Sequence, residues 1–166
     1  DTVPFSAGDF GELRDVVEEF LTGARALPVL DRQLATVMLT DIVGSTSLAA
    51  ERGDAAWVEL VRQHDEVVRE HLDTYRGREV DHTGDGFLAT FDGPARAVTC
   101  AARLAEALHT RGIRIRAGLH TGEVELVDGR LRGLAVHIAA RVMSVAERGG
   151  ILVSGTVRDL VVGSGI

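Results

Sequence analysis

The sequence predicts an α+β domain with a βαββαβ core: an antiparallel-rich sheet with helices on one face. Two observations carry this. Short apolar, β-branched runs alternate along the chain with longer stripes at helical spacing. In two places, at residues 78–91 and 124–131, paired strand-like runs are joined only by a glycine-containing turn, which gives hairpins rather than crossovers.

The elements follow in order. Phe10, Leu13, Val16, Val17, Phe20 and Leu21 recur at helical spacing up to Gly23, and residues 24–33, with Pro28, read as a linker. Residues 1–33 are therefore an N-terminal helix and linker, and residues 34–166 the domain proper. Ala35-Thr-Val-Met-Leu-Thr40 is a short buried strand. Trp57, Leu60, Val61, His64, Val67, Val68, His71, Leu72 and Tyr75 line one stripe of a long helix, with His64 and His71 at the edge of the core. Arg78-Glu-Val and Phe87-Leu-Ala-Thr-Phe91 flank the first hairpin turn. Pro94 opens the next helix, where its missing N–H costs little, and Val98, Ala101, Leu104, Ala105 and Leu108 carry its buried face. Ile113 to Leu119 alternates as a half-buried strand, and a second hairpin turns at Asp128-Gly129. Leu134, Ile138, Val142 and Val145 bury one side of a helix over residues 134–148. Ile151-Leu-Val153 is a strand, and residues 156–162 a last short helix.

Bulk composition excludes several classes. Eighteen basic against 25 acidic residues leave a net charge of −7, which suits neither a nucleic-acid backbone nor an anionic membrane. No apolar run in these residues is long enough to span a bilayer, and none reads as a signal peptide. The single cysteine, Cys100, has no partner for an internal disulfide, which favours a reducing, cytoplasmic setting. An acidic protein that binds an acidic nucleotide needs cations between the two.

Two stretches concentrate the chemistry: Leu39-Thr-Asp-Ile-Val-Gly-Ser-Thr46 and Asp81-His-Thr-Gly-Asp-Gly-Phe87. Each sets an aspartate beside a glycine where a β pattern stops. The Gly44-Ser-Thr turn opens a helix, leaving backbone N–H groups for phosphate oxygens. Asp41 and Asp85 offer hard oxygen ligands of the kind that hold Mg²⁺ or Mn²⁺ on a nucleotide.

Together these motifs resemble the catalytic domain of class III adenylyl and guanylyl cyclases, over residues 34 to 165. The resemblance implies a ferredoxin-like fold and a homodimer whose site is shared between protomers. The reaction implied is formation of 3′,5′-cyclic AMP and pyrophosphate from ATP by two metal ions. Asp41 and Asp85, with the Ile42 carbonyl, would hold the metals, and the amides of Val43, Gly44, Ser45 and Thr46 the β- and γ-phosphates. Arg141 matches the family's arginine for the α-phosphate. His137, four residues earlier, stands where the family has a ribose-orienting asparagine. Asp81 occupies the place of the adenine-reading lysine, and Arg130 falls near that of an aspartate. Either this pair is exchanged, with Asp81 accepting from the amine and Arg130 donating to the ring nitrogen, or purine selection has decayed.

The family also continues into a further strand pair bearing a lysine, beyond Gly163-Ser-Gly-Ile166, so the C-terminal end reads as truncated. Residues 17–25 look like the junction in actinobacterial proteins where an α/β-hydrolase-like domain precedes the cyclase. These departures keep a second reading open, a weak or inactive cyclase-like regulatory or dimerisation module.

Overall fold

The computed structural model describes residues 32–165. The helix expected before them, and the possible junction with another domain, lie outside the described residues. The elements are β1 (Arg32–Ile42), α1 (Ser45–Arg52), α2 (Asp54–Thr74), β2 (Arg78–His82), β3 (Gly86–Phe91), α3 (Pro94–His109), β4 (Ile115–Val127), β5 (Arg130–Arg132), α4 (Leu134–Ser144), β6 (Ile151–Val153) and α5 (Gly155–Val161). The expected α+β fold and both hairpins are present. The sheet order is β2-β3-β1-β4-β5, with β6 parallel to β4 and every other pairing antiparallel.

Side chains of a strand alternate between faces, so a central strand must be apolar on both. β1 obeys this. Met38 and Ile42 join one core with Val68 and Leu72 of α2, Leu104 and Leu108 of α3, and Phe87 and Phe91 of β3. Ala35 and Val37 join a second core with Val124, Ala135 and Ala139. The helices therefore do not share one face, as the alternation had suggested: α2 and α3 cover one side and α4 the other. Small residues hide this. Ala135 and Ala139 are the buried residues of α4, while Leu134 and Val145, expected in its buried stripe, are 72% and 71% exposed.

Several boundaries differ from the pattern: β1 runs from Arg32 to Ile42, into residues read as linker, and α4 ends at Ser144 rather than at 148. The strand at 113–119 and the first arm of the second hairpin are one continuous strand, β4. The polar residues between them are satisfied where they lie: Thr121 Oγ1 meets Thr36 Oγ1 at 2.8 Å, and His120 Nδ1 meets Ser154 Oγ at 2.8 Å. The long helix is broken from the turn helix at Gly53, whose φ of 77° lies in the left-handed region. The last helix is capped by Ser154, whose Oγ accepts from the Val157 N–H at 3.4 Å, so it begins one residue earlier.

Gly118 is where α4 meets the sheet. A Cβ there would stand 2.3 Å from the Met143 nitrogen and 2.5 Å from the Ala139 carbonyl oxygen, both backbone atoms that cannot swing aside. Gly118→Ala should therefore cost about 2–3 kcal/mol or more, at the upper end for overpacking, because a helix must move rather than a side chain. Urea unfolding monitored by circular dichroism checks this, and a parent-like midpoint would refute the contact.

Candidate active site

The register of β1 brings the two motifs together. Asp41 pairs with Gly86 of β3, and the Ile42 N–H donates to the Asp85 carbonyl at 3.0 Å. Both aspartates thus emerge at the adjoining ends of neighbouring strands. The approach is close because residue 86 is glycine: a Cβ there would lie 2.6 Å from the Thr40 carbonyl oxygen. The Thr83 N–H donates to the Gly86 carbonyl at 2.9 Å, closing the tip of the hairpin. The donor set at this end is carboxylate and carbonyl oxygen, which fits a hard divalent cation and not a soft one. Among the described residues no cluster of three or more His, Cys, Asp or Glu side chains forms a metal cage. A cation here would draw the rest of its ligands from substrate or water.

Gly44 bends the chain into α1 at φ 71° and ψ 29°, and no side chain caps that helix. The Val43 N–H is already donated to the Arg114 carbonyl at 2.8 Å, so it is not available to a phosphate as the motif suggested. Gly44, Ser45 and Thr46 are left as the donors of the turn. Arg116 was not singled out by sequence reasoning. It pairs with Asp41 across β1 and β4, its Nε donating to Asp41 Oδ1 at 3.0 Å and its Nη2 to Oδ2 at 2.5 Å. Its only local signal was a polar place in an alternating strand.

Asp81 and Arg130 come from opposite ends of the sheet order, yet they line one groove of about 360 Å³ with Val80, Leu88, Gly129 and Leu131. Both side chains are exposed, and the Asp81 carboxylate accepts the His82 N–H at 2.9 Å. His137 and Arg141 are exposed on α4. Among the described residues, no hydrogen bond or ion pair joins their side chains to the aspartate end or to the groove. The structure therefore assembles two pairs, Asp41 with Asp85 and Asp81 with Arg130, and keeps the α4 pair separate.

A family model described as the adenylate and guanylate cyclase catalytic domain matches residues 29–164. The chain belongs to this family. A Rhizobium meliloti (strain 1021) protein that carries a provisional adenylate cyclase name is 31% identical over 140 residues, covering 80% of this chain and 24% of that protein. The chain thus spans about a quarter of that relative's length. The crystal structure of the adenylate/guanylate cyclase/hydrolase of Silicibacter pomeroyi superposes with a TM-score of 0.73 at 30% identity, covering 80% of this chain and 82% of that one. The adenylyl cyclase CyaB of P. aeruginosa shares the fold at a TM-score of 0.72 and 24% identity, over 78% and 81% of the two chains.

Within this cyclase domain, a partly buried polar cluster ties the long helix to the hairpin bearing Asp85. Asp65 of α2 accepts from His64 Nδ1 at 3.0 Å, and its other oxygen lies 3.2 Å from His82 Nε2. The ring of Phe87 sits 5.6 Å from that of His64 and 4.5 Å from that of His82. Arg69 lies over the same ring and makes two hydrogen bonds to Glu79, at 2.9 and 3.1 Å. His64 is wholly buried rather than at the edge of the core. Burial holds its pKa below the ordinary 6.5, against the opposing pull of Asp65. Burial shifts His120 in the same direction.

A histidine lowered on folding binds fewer protons in the native than in the unfolded chain. Its contribution to stability is complete above pH 6.5 and is lost as the pH falls below that value. The melting temperature should accordingly drop between pH 7.5 and 5.5. His64→Gln should make that drop shallower without abolishing it, because His120 still titrates in the same sense. Melting curves across this range test the point, and an unchanged slope in the variant would count against it.

Proposed function

We propose that this chain is the catalytic domain of a nucleotidyl cyclase that forms 3′,5′-cyclic AMP from ATP as a homodimer, using two Mg²⁺ or Mn²⁺ ions. The observation that carries the reading is the pairing of Asp41 and Asp85 at adjoining strand ends beside an uncapped helix N-terminus. In the reaction, the ribose 3′-oxygen attacks the α-phosphorus of the same nucleotide. A new P–O bond forms, the bond to the bridging oxygen breaks, pyrophosphate leaves, and the hydroxyl proton passes to solvent. Bound at this end, divalent cations would lower the pKa of the 3′-hydroxyl and offset charge on the leaving pyrophosphate.

The chain's own groups hold and orient. The carboxylates of Asp41 and Asp85, with the Ile42 carbonyl, are the cation ligands. The Gly44, Ser45 and Thr46 amides receive β- and γ-phosphate oxygens. Arg141 meets the charge that develops on the α-phosphate, and His137 donates to a ribose oxygen. These two are not joined to the aspartates within one chain, which supports a site completed by the α4 surface of a second copy.

The groove supports the exchanged reading of the purine contacts. Asp81 accepts from the exocyclic amine of adenine, and Arg130 donates to a ring nitrogen. The same pair suits guanine, with Asp81 taking its N1–H and amine and Arg130 its carbonyl oxygen. GTP is therefore the rival substrate.

Asp41→Ala and Arg141→Ala proteins should each be inactive, yet a mixture should recover activity, because one of the two shared sites in a mixed dimer keeps every residue. Cyclic nucleotide measured by mass spectrometry reports this. A mixture as dead as its parts, with exchange of subunits demonstrated, would argue for a site within one protomer. For the purine contacts, Arg130→Ala should lower turnover of ATP roughly tenfold or more, the worth of one charge-assisted hydrogen bond. Asp81→Ala should act in the same direction. If both variants match the parent with ATP and with GTP, the groove does not read the base.

A further inference from the structure

We propose that Arg116 is a built-in competitor of the divalent cation for Asp41, so that a cation gains this carboxylate only by displacing the guanidinium. The inference rests on the proposed metal site and concerns what controls entry to it.

The pair is fixed by the sheet rather than by loose side chains. Asp41 and Arg116 are directly opposed partners in the β1–β4 register, so their side chains leave the same face side by side. The guanidinium engages both carboxylate oxygens, Oδ1 through Nε at 3.0 Å and Oδ2 through Nη2 at 2.5 Å. The side chains are 22% and 34% exposed, so water screens the pair only in part. Neither group has another recorded ion pair among the described residues. Asp85, the second carboxylate of the site, has no recorded ion pair either, so the two aspartates are not equivalent: one is held and one is open.

A cation and a guanidinium on the same carboxylate would be like charges a few ångströms apart, where repulsion is strong outside bulk water. Joint occupancy is therefore disfavoured, and cation binding must include loss of a bidentate, charge-assisted pair. The displaced guanidinium also needs an anion to take its charge, because a half-buried cation that loses its partner is costly. A nucleotide triphosphate arriving with the cation supplies one. Cation and nucleotide should then each strengthen binding of the other by the same factor.

The test uses the whole chain and Mn²⁺ alone, without nucleotide, with the fraction of free Mn²⁺ read by electron paramagnetic resonance. Arg116→Gln should bind Mn²⁺ about tenfold more tightly than the parent, reflecting the charge-assisted contact that no longer has to be broken. Arg116→Lys keeps the charge but loses the two-pronged fork, and should fall between the two. Asp41→Asn should lose the binding. If Asp41→Asn loses the binding while Arg116→Gln matches the parent, the competition is overturned and the metal site stands. If Arg116→Gln tightens binding but Arg116→Lys matches the parent, diffuse repulsion rather than a seat on the carboxylate is responsible, and the proposal is again overturned. If Asp41→Asn binds Mn²⁺ as the parent does, the metal assignment beneath it fails.

Discussion

The register of β1 is the constraint on which the rest of the molecule depends. The strand is hydrogen-bonded along both edges, to β3 from Thr36 to Asp41 and to β4 from Arg32 to Ile42. Its alternate residues go to two different cores, so a slip of one residue would drive Val37 and Met38 into each other's places and turn Asp41 to the opposite face. The same register sets Gly86 and Arg116 on either side of Asp41. One folding decision, made by apolar burial, therefore places both the candidate metal carboxylates and the cation that faces one of them. The chemistry needs no separate scaffold.

The two faces of the sheet carry different duties. Under α2 and α3 lies the larger core, which contains Phe87, Leu104, Leu108, Ile115 and Leu119 and gives the domain most of its buried apolar surface. The opposite face is covered by α4 through alanines and seated on Gly118, so the helix lies close to the strands. Close seating by small residues leaves the larger side chains of α4 facing out. Leu134 and Val145 are exposed for that reason, and His137 and Arg141 stand on the same exposed surface. An apolar and basic surface of this kind is what the shared-site reading requires of α4, whereas a helix buried through its leucines would have turned its polar groups only to solvent.

What was legible in the sequence, and what was not, follows from the range of the interactions. Hairpins, the Pro94 helix and the Gly44 turn rest on neighbours in sequence, and their residue types announce them. The aspartates were legible because each sits in a local motif. Arg116 was not, because its partner lies 75 residues away and only the β1–β4 register brings them together. The loss of the Val43 amide to the Arg114 carbonyl is a contact of the same long-range kind. The continuity of β4 was hidden because His120 and Thr121 look like loop residues until Ser154 and Thr36 are known to satisfy them. The helix stripe read onto Leu134 and Val145 failed because size was taken for burial, while Gly118 selects alanine at the contact.

Asp81 and Arg130 stand apart from this rigid centre. Asp81 lies at an irregularity in the pairing of β2 with β3, between Glu79 and Asp81, on an edge strand. Arg130 begins a three-residue strand after Asp128 and Gly129, both at positive φ, the signature of a tight type I′ turn. Substitution at either place disturbs no core residue and no part of the β1 register. The carboxylates that would carry the reaction are thus fixed by the most constrained strand, and the groups that would read the base by the least constrained ones. A fold divided in this way could change the base it reads while the strand ends that would hold the cations stay as they are, and the proposed exchange of an acid and a base across one groove is a change of that kind.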